Sequence, residues 1–225
     1  MLNMKWGNAM SNSMKTVIFI ISMFVFLFIF IIVNYVIPPG FVLGAFIYIA
    51  AYIAVLYSQA LMKYLYTKNV LKNQAIIKVF PVKATELRAL LITLVLPVIA
   101  VLMPVVSKRS ITAENLRAFV FLAVLAAVIQ LLFNISSKSM KVYVTNKGFA
   151  VNGVDLRIEL SIPFSYTNAA GWYPFERIEN YLAYGNKVFL YQTYDMGVIT
   201  FECSEEEVRQ MKGLLVAKGV PERRY

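Results

Sequence analysis

The stretch Val17 to Val33 reads VIFIISMFVFLFIFIIV, with one weakly polar residue in seventeen. Continued to Ile37 it gives about 31 Å of helix at 1.5 Å per residue, the thickness of a bilayer core, and predicts a first transmembrane span over 17–37. A cleaved signal peptide fits less well, because the apolar run is long and ends in Asn34 and Pro38-Pro39 rather than in a small-residue cleavage site.

Working outward, Phe41 to Met62 predicts a second span, and Pro38-Pro39-Gly40 leaves room only for a tight turn between the two. Ala89 to Val106 predicts a third, kinked by Pro97 and Pro104. Residues 116–135 predict a fourth, with Thr112 as N-cap and Glu114 in the first turn. The polar residues in these spans, Asn34, Ser58, Gln59, Thr93, Gln130 and Asn134, suit hydrogen bonds between helices, and no span carries a central charge of the kind that marks an ion pathway.

Composition agrees with this reading. Hydrophobic residues make up 60% of the 225 and charged residues 15%, with a mean hydropathy of +0.66. The net charge of +10 is lopsided: residues 1–137 hold 11 Lys and Arg against Glu86 and Glu114, whereas residues 138–225 hold 11 against 10 acids. Basic residues concentrated beside apolar runs point to anionic lipid and away from nucleic acid. The loop between spans two and three carries Lys63, Lys68, Lys72, Lys78, Lys83 and Arg88, a candidate lipid-facing basic loop in which each cation is worth about 1 kcal/mol near an anionic leaflet. The same charges serve equally as plain topology signals. By the positive-inside rule the chain is expected to be a multi-pass protein of the cell membrane with both termini cytoplasmic.

After Ser139 the apolar runs give way to short alternating segments and turn signals. Lys141–Thr145 and Phe149–Asn152 predict a hairpin around Asn146-Lys147-Gly148, and strands are expected at 156–160, 180–183, 187–192 and 197–201, with six or seven in all. Ser204 with Glu207 forms a capping box ahead of an apolar stripe at Val208, Met211, Leu214 and Leu215, and Gly219 and Pro221 end that helix. The fold class expected is a four-helix transmembrane bundle over 1–137, followed over 140–225 by a small β-barrel or sandwich closed by a C-terminal helix.

The order VYVTNKGFAVNG, IPFSYTNAAGWYPFERIENY, NKVFLYQTYDMGVITFEC and a terminal helix resembles the bacterial pleckstrin-homology-like domains found at the cytoplasmic end of multi-span membrane proteins. The resemblance covers roughly the last 85 residues and centres on Phe175 and Ile178 ahead of a glycine-turn hairpin. It implies a fold more than an activity. Proteins of similar layout include bacteriocin-immunity and envelope-stress proteins, so membrane protection is a role implied by resemblance.

Within GWYPFERIENY, residues 171–181, the aromatic side chains suit a strand that fills the core, while Trp172 and Tyr173 are also candidates for docking a partner or the membrane interface. Asp155, Glu159, Glu176 and Glu179 are the nearest candidates for acid–base chemistry, but they stand as solvated strand charges with no His, nucleophile elbow or phosphate loop beside them. With no His and the single Cys203, no metal or cofactor is expected. The function expected is that of a non-enzymatic membrane protein whose C-terminal domain is a protein- or lipid-interaction module. An accessory subunit of a transporter or secretion complex is the alternative, with an unknown protein partner and homo-oligomerisation left open.

Overall fold

The computed structural model describes residues 17–25, 27–28, 31, 41–82, 89–95, 98, 113–158, 167–193 and 197–223. Its elements run α1 (Phe41–Leu71), β1 (Ile76–Pro81), α2 (Ala113–Ser139), β2 (Lys141–Thr145), β3 (Gly148–Asn152), β4 (Gly171–Pro174), a 3-10 turn at Phe175–Arg177, β5 (Ile178–Tyr184), β6 (Lys187–Gln192), β7 (Val198–Glu202) and α3 (Glu205–Ala217). Residues 17–25 and 89–95 are helical as well.

Two of the expectations above are corrected. Among the described residues only one helical stretch, Phe119–Ser139, is long and apolar enough to cross a membrane, and seven strands in two antiparallel sheets make up much of the rest. The fold is therefore not a four-helix membrane bundle, and the multi-pass localisation with both termini cytoplasmic falls with it. The physical reason is clearest in α1. It does not stop at Met62 but continues to Leu71, and its C-terminal part, with Lys63, Thr67, Val70 and Leu71 buried, is packing surface for the sheets. The turn at 38–40, the prolines 97 and 104, and Lys108 and Arg109 lie outside the described residues.

The first sheet has the order β1-β2-β3-β4 and the second β5-β6-β7. Strand alternation gives the first sheet two apolar faces. Phe80, Val142 and Val151 lie in one cross-strand row and Val144, Phe149 and Tyr173 in the next, and these rows face the second sheet. Between the sheets Phe80 and Phe201 stack at 4.8 Å, and Phe149 meets Phe175 edge-on at 5.4 Å. Each such ring contributes about 1.5–3 kcal/mol of burial. The opposite face carries the row Val79, Tyr143, Ala150 and Trp172, and there α1 lays Tyr66, Val70 and Leu71 across Ala150 and Trp172. Helix, sheet and sheet thus form three layers.

β1 comes from the half of the chain assigned above to helices, so the sheet unit is not confined to 140–225. The alternation of 156–160 does not make a strand in its described part: Leu156 and Ile158 are buried instead in a second core with Leu56, Ala60, Leu125, Ile129 and Phe133 of the helices. α3 closes the sandwich with Val208, Met211 and Leu215, and the tail beyond it pairs with β5, where Tyr181 N–H donates to the Pro221 carbonyl and Arg223 N–H to the Tyr181 carbonyl.

Candidate functional site

The chain leaves β3 through Gly153, at φ +154°, where a Cβ would stand 2.7 Å from the Ser139 carbonyl oxygen and 2.8 Å from Met140 Cα. Only glycine permits so close a passage past the end of α2. The next residues are stitched to that helix: Val154 N–H donates to Ser139 Oγ at 2.9 Å, and Ser136 Oγ donates to the Val154 carbonyl. Asp155 is thereby delivered into the seam between the helices and the sheets, where it is 0% exposed.

Two cations meet it there. Arg157 holds the carboxylate bidentately, Nε to Oδ1 at 2.8 Å and Nη2 to Oδ2 at 2.9 Å. From α1, Lys63 Nζ lies 3.6 Å from Asp155 Oδ2 and donates to the Arg157 carbonyl at 2.9 Å. The Ala170 amide donates to Oδ2 at 3.0 Å. Lys63 is 0% and Arg157 2% exposed. Burial alone would push the Asp155 carboxyl upward, but the charges of Arg157 and Lys63 and the hydrogen bonds from Arg157 and Ala170 outweigh it and hold the group well below the usual carboxylate range.

The network extends to the second sheet. Arg157 Nη1 donates to the Thr167 carbonyl and Nη2 to the Asn168 carbonyl, both at 2.7 Å. Asn168 sits in the left-handed region at φ +53°, a conformation its short amide side chain tolerates. Its side chain then pairs with β7 as a strand would: Nδ2 donates to the Thr200 carbonyl at 2.9 Å and Oδ1 accepts from Thr200 N–H at 2.7 Å. An unbroken polar path therefore runs from α1 through Asp155, Arg157 and Asn168 to the edge of β7.

A second feature lies elsewhere on the sheet unit. A groove of about 630 Å³ opens between the β2–β3 turn, the 3-10 turn and the C-terminal end of α3. Trp172 and Phe175 form part of its wall, and Lys147, Lys218, Glu176 and Glu179 bring two cations and two anions to its lining. The Lys218 ammonium stands 5.7 Å from the Phe175 ring centroid. Gln74 lines the same groove, and its Oε1 is buried without a hydrogen-bond partner.

The residues singled out from the sequence do not assemble into one site. In its described part the basic stretch is mostly helix and strand: Lys63 is buried in α1, Lys68 and Lys72 are exposed at and just beyond its end, and Lys78 lies on β1 paired with Glu207, while Lys83 and Arg88 lie outside the described residues. Trp172 and Tyr173 are buried, Trp172 under α1 with only its edge at the wall of the groove and Tyr173 between the sheets, with its hydroxyl donating to the Ala169 carbonyl at 2.6 Å, so neither is an exposed surface ring. Glu176 and Glu179 are exposed at the groove. Asp155, expected on a solvated strand, is instead the centre of the buried network, and Glu159 lies outside the described residues.

Asp155 and Arg157 were missed as a pair because a D-x-R spacing in V-D-L-R-I reads as the polar face of a strand. The signal was Lys63, a cation inside an apolar helical pattern, which needs a buried anion. Cys203 is a buried free thiol, and among the described residues no cluster of three or more His, Cys, Asp or Glu side chains is placed to hold a metal. Comparison with protein-family models, with curated proteins and with solved structures finds no match for this chain.

Proposed function

We propose that this chain is a non-enzymatic, membrane-attached interaction module, in which the sheet unit takes a segment of a partner protein in the groove beside Phe175 and the buried junction holds that unit in fixed register to the helices. The observation that carries this reading is the Lys63–Asp155–Arg157 network. A buried ion pair rarely adds stability over apolar packing of the same volume, and its best-attested use is to fix one arrangement among several. Here it ties α1 to the connection between β3 and β4, and through Asn168 to β7. A partner's effect at the sheets would be passed to the helices by this route.

Two further features support the reading. The sequence resemblance of roughly the last 85 residues to pleckstrin-homology-like domains suits a docking role for the sheet unit. Asp155, the carboxylate best shielded from water among the described residues, is clamped in its ionised form between two cations, which disfavours proton transfer. Crosslinking in native membranes followed by mass spectrometry tests the proposal. A specific partner crosslinked to the full chain and lost from Glu176→Lys/Glu179→Lys, with the fold intact by circular dichroism, is the expected result. An unchanged crosslinking pattern in that variant would remove the groove from the proposal.

A further inference from the structure

Outside the junction and the groove, the most ordered surface pattern belongs to the helices. On α2 the exposed positions Val120, Val124, Ala127, Leu131 and Ile135 recur every three or four residues, which places them on one stripe. Exposed basic residues bracket the stripe, Arg117 before it and Lys138 after it. The 20 residues between these two cover about 30 Å of helix, which is the thickness of a bilayer core. Only 22% of the most apolar part of Phe119–Ser139 is buried by the described residues, which leaves most of this helix's apolar surface uncovered. The polar pair on the same side, Gln130 and Asn134, hydrogen-bond to each other at 3.2 Å.

α1 repeats the pattern at its C-terminal end. Tyr57, Leu61 and Leu65 are exposed, and Lys68 and Lys72 follow within two turns. Both helices end at the sheet unit, α1 against Ala150 and Trp172 and α2 by running through Met140 into β2, so the apolar-to-basic change occurs at the same end of each. Lys141, exposed at the start of β2, extends the set. Lys78, Lys187 and Lys212 each pair with a glutamate, whereas Lys68, Lys72, Lys138 and Lys141, like Lys147 and Lys218 at the groove, are in no ion pair.

We propose that the apolar stripes of α2 and α1 are seated against lipid acyl chains and that Lys68, Lys72, Lys138 and Lys141 form a collar at headgroup level that takes the phosphates of anionic phospholipids. The collar seats the sheet unit on the membrane surface. Length supports the first half of this, since the stripe between Arg117 and Lys138 matches a bilayer core, and charge supports the second, since four cations in no ion pair gather where both helices meet the sheet unit. The inference rests on the membrane attachment proposed above, and the two halves have separate readouts.

The test uses the full chain. For acyl contact, a bimane probe on Leu131→Cys in a Cys203→Ser background is read in phosphatidylcholine vesicles. A blue-shifted emission is expected, and water-like emission would overturn the attachment itself. For the collar, the melting temperature is compared in phosphatidylcholine with and without phosphatidylglycerol. The wild type is expected to be stabilised more by phosphatidylglycerol, Lys68→Gln/Lys72→Gln/Lys138→Gln/Lys141→Gln to lose the difference, and Lys187→Gln/Lys212→Gln to keep it. Equal melting in the two lipids for the wild type would overturn the collar even if the fourfold variant fails to fold. So would an equal shift produced by glycerol phosphate alone, which would assign the site to a free phosphate instead.

Discussion

Lys63 Nζ donates to the Arg157 carbonyl at 2.9 Å across 94 residues of sequence, and the same ammonium lies 3.6 Å from the Asp155 carboxylate. One helix side chain thereby satisfies both the charge and the backbone of the segment that connects β3 to β4. An ammonium taken out of water needs such partners, and a residue that ties helix to sheet in this way fixes how α1 lies on the first sheet.

Removing the anion should expose the cost of that arrangement. Asp155→Asn keeps the shape but leaves Arg157 and Lys63 with much less compensation, and breaking a buried pair from one side costs about 3–5 kcal/mol. Denaturation in mild detergent is expected to show a loss of this size. The double variant Lys63→Met/Asp155→Asn should be less destabilised than the two single losses added together, because the residues share one network. Strict additivity would mean that the 3.6 Å contact carries no coupling.

The pH dependence follows from the same carboxylate. Its folded-state value is depressed, so its ion pairs add stability that is fully present above the unfolded carboxylate range near pH 4 and is lost as pH falls through the lower folded value. The melting temperature of the wild type should therefore drop more steeply below about pH 4 than that of Asp155→Asn. Parallel acid profiles for the two proteins would place the loss on other carboxylates.

Trp172 tests the layering. Its ring lies 2% exposed beneath Val70 and Leu71 of α1, beside Ala150, whose small side chain lets the helix approach. Trp172→Ala should cost about 3–5 kcal/mol by opening a cavity between helix and sheet. Ala150→Leu should cost about 1–3 kcal/mol by overfilling the same space. Chemical denaturation followed by far-UV circular dichroism reads both losses. A Trp172→Ala protein of wild-type stability would show that α1 does not pack on this face in solution.

How far the sequence announced this structure varies element by element. The hairpin at Asn146–Gly148, the strands beside Gly185 and the capping box of Ser204 with Glu207 are all present, and Gly219 follows α3 at φ +74°. Each is a local signal, fixed by turn or cap chemistry within a few residues. What was not legible depends on partners far along the chain. Ile76–Pro81 has the branched and aromatic content of a strand, but Lys78, the lysines around it and the apolar helix before it drew it into a loop reading, and only pairing with β2 makes it a strand. α1 continues past Lys63 because Asp155 is waiting for that charge, and Leu156 and Ile158 leave the strand pattern because a helical core is there to receive them. Hydropathy averages over such residues, whereas burial is decided one side chain at a time.

Asn168 offers the sharpest test of the path from junction to sheet. At φ +53° it can be replaced by glycine without backbone strain, whereas alanine there is strained. Both replacements lose the two hydrogen bonds to Thr200 that cover the edge of β7. Asn168→Gly should therefore release the Thr200 amide to hydrogen exchange while keeping the fold, and Asn168→Ala should add about 1 kcal/mol of destabilisation on top. If the edge matters to the junction as well as to β7, the Asn168→Gly protein should also lose part of the coupling between Lys63 and Asp155 measured in the double variant. Arg157 bonds to the Asn168 carbonyl, and a loosened residue 168 no longer anchors the guanidinium that holds the carboxylate. Unchanged coupling with a freely exchanging Thr200 amide would separate the two, and would confine Asn168 to the role of an edge cover.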